Sequence, residues 1–78
     1  MERINFKTKN QIEKCYAKYG KYASAHEFLG VLIEEVDELK AEIFKKHLDF
    51  DLLEAEIIDC ITVLFKGYND IVKEKNER

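Results

Sequence analysis

The sequence predicts an all-α fold: a three-helix chain with a long antiparallel helical hairpin, completed as a helical bundle by oligomerisation. Three observations indicate it. The 78-residue chain has no proline and only three glycines, so little in it interrupts a helix. Apolar residues recur at the spacing of one helical face, and two segments begin with residues that cap helices. A chain this short is expected to form one domain, residues 1–78, with residues 1–6 and 74–78 frayed.

The first helix is predicted over about residues 8–19. Ile12, Cys15 and Tyr19 recur at the three-and-four spacing that places side chains on one helical face. Gly20 follows directly, and glycine often ends a helix because it adopts a positive φ without strain. We therefore expect a short first helix that ends at Tyr19.

The second helix has the clearest start. Ser24 and Glu27 form a capping box, in which the serine oxygen accepts from an early backbone N–H and the glutamate reaches back along the chain. The pattern behind this box predicts a long helix that packs against a neighbour. Its apolar residues follow the 3-4-3-4 spacing of a helix seam: Leu29, Leu32, Val36, Leu39 and Ile43.

The third helix is predicted to follow a turn over residues 47–51, with Asp51 as its cap and Glu54 repeating the capping-box spacing. It is expected to run to about Lys73. Its segment 57–65 is apolar nearly all round, and a helix of this kind needs partners on every side. The other two helices cannot supply them all, so we expect a homo-oligomer, either a dimer or a tetramer.

Composition argues against several classes of partner. The net charge is −3 and there is no basic tract, so binding to nucleic acid is not expected. No apolar run approaches the ~20 residues of a membrane span, and no signal region is evident, so no membrane association is expected. Cys15 and Cys60 lie on apolar helical faces and are expected to be free, buried thiols. Together these features favour a cytoplasmic protein.

Two carboxylates stand out because they lie in the most apolar stretch of the chain. Glu56 and Asp59 are one helical turn apart within residues 55–65. Burying an unpaired carboxylate is costly, so these two acids need a compensating charge. The sequence leaves two candidates open: a divalent cation, or a Lys or Arg side chain, which a second subunit could supply across an oligomer interface.

A second acidic cluster, residues 34–38, is predicted to lie level with the first. In an antiparallel hairpin, facing residues have a constant sum of residue numbers. Glu35 with Asp59, and Glu38 with Glu56, share one sum, whose midpoint falls in the predicted turn. Since packed helices lie about 8–10 Å apart, the four side chains can converge on one small volume.

Four carboxylates without a nearby histidine favour a hard cation, Mg²⁺ or Mn²⁺, which takes oxygen ligands and also binds substrate phosphates. A ferritin-like di-iron site requires Glu-x-x-His pairs, and neither His26 nor His47 follows a glutamate at that spacing. Hydrolysis of a phosphoanhydride is the reaction that such ions promote most naturally. Lys66 lies seven residues beyond Asp59 on the same helical face, within expected reach of a phosphate.

The two motifs resemble the signature of a known family. Glu-Glu-x-x-Glu at residues 34–38, a spacer, and Glu-x-x-Asp at residues 56–59 are similar to the pattern of the MazG-like all-α nucleoside triphosphate pyrophosphohydrolases, which include the dimeric dUTPases and dCTPases. Tyr19-Gly20 and the segment 24–27 also resemble small phage-type members. The resemblance covers roughly residues 16–66.

The resemblance implies an oligomeric all-α bundle with Mg²⁺-dependent cleavage of a nucleoside triphosphate to the monophosphate and pyrophosphate. Four residues are implied as metal ligands: Glu35, Glu38, Glu56 and Asp59. Glu34 is implied to orient or deprotonate the attacking water, although Glu34, Asp37 and Glu42 also fit an ordinary solvated helix surface. The sequence shows no counterpart of the further C-terminal helix of larger members and no evident base-recognition residues. The alternative is therefore a catalytically weak or inactive MazG-like module that binds a nucleotide or a protein, and a third interpretation is a purely structural helical oligomer that needs no metal.

Overall fold

The computed structural model describes residues 2–73, and these residues form helices without any strand. Helix α1 spans Glu2–Tyr19, α2 spans Ala25–Ile43 and α3 spans Phe50–Gly67. A π-helical segment, Tyr68–Lys73, continues directly from α3. The predicted all-α class and the number of helices are confirmed. In the described part of the chain, no helix is long and apolar enough to cross a membrane.

Helix α3 is the centre of the chain, because both α1 and α2 pack against it. Within residues 3–73, the only buried large apolar side chains are Ile58 and Val63, and both belong to α3. A single copy therefore has a very small core.

Much of the predicted helix seam faces outward in a single copy. Leu29, Val36 and Ile43 of α2 are exposed, whereas Leu32 and Leu39 are half-buried. Large apolar side chains of α3 are exposed as well, including Ile57, Leu64 and Phe65.

The first helix begins six residues earlier than the sequence predicted, at Glu2 rather than Thr8. Ion pairs with α3 explain the difference. Arg3 Nη2 lies 3.1 Å from Glu54 Oε2, and Lys7 pairs with the same carboxylate. These two contacts hold the first turns of α1 against α3, so fraying of residues 2–6 is not what the structure shows. The predicted fraying of residues 74–78 lies outside the described residues.

The start of α2 agrees with the predicted capping box. Ser24 Oγ accepts a hydrogen bond from the Glu27 N–H at 3.1 Å. Glu27 Oε1 accepts from the Ala23 N–H at 2.9 Å, so the glutamate also reaches back along the chain. This box fixes the direction in which α2 leaves the link from α1.

The cap of α3 is Asp49, and the prediction of Asp51 was wrong. Asp49 Oδ1 accepts from the N–H groups of Asp51 and Leu52, at 3.0 Å and 3.1 Å. The backbone of Asp49 is extended, as an N-cap requires, whereas Asp51 already lies inside the helix. Both positions carry an aspartate, a residue that suits an N-cap, and the sequence alone did not separate them.

The cysteines are free, as predicted, but they are half-buried rather than fully buried. Cys15 lies in α1 and Cys60 in α3. Burial raises the pKa of the Cys60 thiol, and the nearby carboxylate of Glu35 raises it further.

Candidate metal centre

Helices α2 and α3 bring four carboxylates together. Glu35 and Glu38 come from α2, and Glu56 and Asp59 come from α3. One oxygen from each residue can be chosen so that all four lie within 4.8 Å of one another. The spacing of three residues within each helix places both acids of a pair on one face. The four residues singled out from the sequence therefore do meet, and they are called the carboxylate cluster below.

The cluster is shielded from water on its inner side. Glu35, Glu56 and Asp59 are half-buried, whereas Glu38 is exposed. Glu35 Oε2 and Glu56 Oε2 are buried oxygens without a hydrogen-bond partner. A buried carboxylate oxygen with no donor is costly, so these two atoms mark where a positively charged group would be stabilising.

The pKa values of the cluster show the same imbalance. Burial, followed by repulsion from Glu38 and Asp59, raises the pKa of Glu35 to about 7. Burial and then repulsion from Glu38 also raise the pKa values of Glu56 and Asp59. Without an added cation, the cluster resists carrying its full negative charge.

The donor set fits a hard divalent cation. Mg²⁺ binds oxygen at about 2.0–2.1 Å, so ligand oxygens on opposite sides of the ion are about 4.2 Å apart. One oxygen from each of the four residues lies within 4.8 Å of the other three, so small movements of the side chains would allow one ion to contact them all. A bound cation would also be a positively charged partner for Glu35 Oε2 and Glu56 Oε2, the two oxygens that have no hydrogen bond.

A cavity of about 450 Å³ adjoins the cluster and shares Glu35 with it. Its walls come from all three α-helices and from the link between α1 and α2, and they include Gly20, Tyr22, Val31, Glu34 and Lys66. Glu34 is exposed and lies on the cavity wall, one residue from a member of the cluster. The cavity is within the usual size of small-molecule sites.

Lys66 is almost fully buried, with 2% of its surface exposed. Its Nζ donates a hydrogen bond to the Gly20 carbonyl at 2.7 Å. The same ammonium lies 4.2 Å from the ring centroid of Tyr22 and 4.7 Å from that of Tyr16. The sequence predicted that the Lys66 ammonium could reach a phosphate. In the structure, this ammonium instead contacts a backbone carbonyl and two aromatic rings.

Asp70 is a residue that the sequence analysis missed. It is 8% exposed, and Oδ1 accepts from the Tyr16 hydroxyl at 2.5 Å while Oδ2 accepts from the Tyr22 N–H at 3.0 Å. Burial, then the hydrogen bond to Asp70, raises the Tyr16 pKa to about 12. The available signal was the spacing of Lys66 and Asp70, four residues apart. These two residues and the two tyrosines are called the Lys66 network below.

The candidate site thus has three adjoining parts: the carboxylate cluster, the cavity and the Lys66 network. Glu35 joins the first part to the second, and Lys66 joins the second to the third. Comparisons of the chain with protein-family models, with curated proteins and with solved structures found no match.

Proposed function

We propose that the protein is a Mg²⁺-dependent nucleoside triphosphate pyrophosphohydrolase of the MazG-like kind. It would cleave an NTP or dNTP to the monophosphate and pyrophosphate. One observation carries the proposal: α2 and α3 contribute two carboxylates each, with ligand atoms within 4.8 Å of one another, beside a cavity that shares one of them. The chain spacing of these acids, Glu-x-x-Glu and Glu-x-x-Asp, is the spacing of that family's motif.

The proposed roles combine the resemblance to the MazG-like motif with the positions of the residues. Glu35, Glu38, Glu56 and Asp59 would hold Mg²⁺, with Mn²⁺ as a substitute. When bound, the ion neutralises phosphate charge and polarises the phosphoryl group that is attacked. Glu34, which is exposed on the cavity wall, orients the attacking water and accepts its proton.

The assembled form that we propose pairs α2 and α3 as an antiparallel hairpin and completes the bundle with further copies of the chain, as a dimer or tetramer. The support is the small core of a single copy and the exposed apolar faces of both helices. A patch of this kind on a soluble protein commonly marks an interface. Val36 of α2 and Ile57 of α3 are two such exposed residues.

A second candidate is a MazG-like module that binds a nucleotide without turnover. The geometry of Lys66 favours this candidate, because its ammonium is engaged by the Gly20 carbonyl and two tyrosine rings. If Lys66 does not contact the phosphates, a hydrolase must neutralise their charge with its metal ions or with groups from another subunit.

A pyrophosphate-release assay separates the two candidates. Purified wild type is tested with a panel of common NTPs and dNTPs in Mg²⁺, in Mn²⁺ and in EDTA, beside Glu38→Gln. Asp37→Asn is the matched control, because it removes one charge from an exposed neighbour outside the cluster. We expect metal-dependent release by wild type and Asp37→Asn, and none by folded Glu38→Gln.

Two results would count against the proposal, one against the assigned site and one against hydrolysis. Equal release by wild type and Glu38→Gln would refute the assigned site. Saturable nucleotide binding without release from any nucleotide would refute turnover and support the binding module.

A further inference from the structure

Lys66 is buried although lysine is rarely buried. It is one of the two most fully buried side chains among the described residues, and its ammonium is satisfied by one backbone carbonyl, that of Gly20. The faces of Tyr16 and Tyr22 add cation–π contacts. The lysine therefore reaches from α3 to the link between α1 and α2.

Asp70 holds the same link from one turn further along the chain. Its two carboxylate oxygens accept from the Tyr16 hydroxyl and from the Tyr22 N–H. Lys66 binds the link at Gly20 and Asp70 binds it at Tyr22, so the two contacts lie two residues apart. Gly20, where Lys66 binds, has a backbone φ of +71°, a conformation that glycine adopts without strain.

The held segment, residues 20–22, is also a wall of the cavity beside the carboxylate cluster. Glu34 and Glu35 of α2 line the same cavity, so a shift of the segment 20–22 would change the shape of the space beside these carboxylates. The π-helical form of residues 68–73 contains Asp70, and π-helical turns occur frequently at functional sites.

Stability alone is a weak reason for this arrangement. Burying a charge carries a desolvation cost that can exceed what its contacts return, and apolar replacements of buried charged groups are often neutral or stabilising. A lysine whose ammonium fixes a cavity wall has a reason to be buried that does not depend on stability.

We propose that Lys66 and Asp70 are positioning residues that hold the segment 20–22 in one conformation and so set the affinity of the adjoining cavity for the nucleotide. The inference rests on the proposed function for the identity of the ligand. Neither residue is proposed to contact the phosphates or the metal. The Lys66 network would therefore set the affinity for the nucleotide, whereas the carboxylate cluster would set the rate of hydrolysis.

The test combines kinetics with amide hydrogen exchange. Lys66→Met removes the ammonium but keeps an unbranched side chain only one atom shorter, and Asp70→Asn is a smaller change that keeps the shape. For Lys66→Met we expect KM to rise about tenfold with kcat within about twofold of wild type. The Tyr22 N–H, which donates to Asp70, should exchange about tenfold faster in both variants. Mn²⁺ affinity in the absence of nucleotide should not change.

The matched control is Lys46→Met, which removes an exposed lysine from the turn after α2 and should leave KM and exchange unchanged. Two results would overturn the proposal: Tyr22 exchange equal to wild type in both variants, or a loss of kcat with KM unchanged, which would place Lys66 at the reacting groups. If wild type hydrolyses no nucleotide, the proposed function fails, and Tyr22 exchange still decides whether these residues hold the segment.

Discussion

The carboxylate cluster and the Lys66 network both place charged groups of α3 in shielded surroundings, yet they differ in how those charges are compensated. In the Lys66 network the buried ammonium and carboxylate each have hydrogen-bond partners within the chain. In the cluster, two buried oxygens have no partner, and repulsion between neighbouring acids adds to burial in raising the pKa values. A charge that the chain satisfies itself is suited to holding structure, whereas one that it leaves unsatisfied is suited to binding something from outside.

Removing one acid from the cluster should have the largest effect. Asp59→Asn keeps the shape of the side chain but removes a charged oxygen ligand, and we expect pyrophosphate release to fall by at least about 100-fold. Pyrophosphate release at saturating nucleotide and Mg²⁺ measures this. In the Lys66 network, Asp70→Asn should leave kcat nearly unchanged. Equal losses of kcat in Asp59→Asn and Asp70→Asn would contradict the separate roles of the carboxylate cluster and the Lys66 network.

Divalent cations should stabilise the fold strongly. At 100 times its Kd, a ligand that binds only the native state adds about 2.7 kcal/mol to the free energy of unfolding. For a domain of this size, that corresponds to a rise in Tm of about 10 °C or more. Thermal unfolding in Mg²⁺ and in EDTA, at equal ionic strength, measures the effect without a contribution from general screening. Asp59→Asn should lose most of the rise; a rise of the same size in that variant would place the ion elsewhere.

Substitution of glycines should have opposite effects in α2 and α3. A Cβ on Gly67 would lie 2.3 Å from the Phe28 ring, so the ring must move, and we expect Gly67→Ala to destabilise by about 1–2 kcal/mol. A Cβ on Gly30 meets nothing within 4 Å, so Gly30→Ala should stabilise by up to about 1 kcal/mol through helix propensity. Denaturant unfolding measures both. A stabilising Gly67→Ala would contradict the close packing of Phe28 on the helix beside Lys66.

The pH dependence of stability should give the smallest effect. The pKa of Glu35 rises from 4.5 in the unfolded chain to about 7 in the folded one, so the folded state retains a proton that the unfolded state loses. Its contribution to stability is complete below pH 4.5 and is lost as the pH rises through about 7. In EDTA, the Tm of wild type should therefore fall more between pH 5 and pH 8, by a few degrees, than that of Glu35→Gln. Identical slopes would contradict the raised pKa.

Much of the candidate site was predictable because it depends on local spacing. The three-residue spacing within each acidic pair is a property of any helix, and the constant sum of residue numbers aligns Glu35 with Asp59 once the turn is located. The capping box at Ser24 was predictable for the same reason, because every group in it lies within a few residues. The α-class of the fold followed from the absence of helix-breaking residues.

What the sequence did not predict depends on contacts between distant residues. The early start of α1 requires the pairing of Arg3 with Glu54, and the burial of Lys66 requires the carbonyl of Gly20. Residues 46 or more positions apart form both contacts. Helical periodicity indicates which side chains share a face, but it does not indicate which distant residue that face contacts.

The most direct test of the central account is the binding of Mn²⁺, measured by electron paramagnetic resonance on wild type, Glu38→Gln and Asp37→Asn, without nucleotide. The cluster account predicts saturable binding by wild type and by Asp37→Asn, and binding weakened by at least about tenfold in Glu38→Gln. Equal binding by all three proteins, or no saturable binding by any of them, would contradict the assignment of these four carboxylates to a metal site.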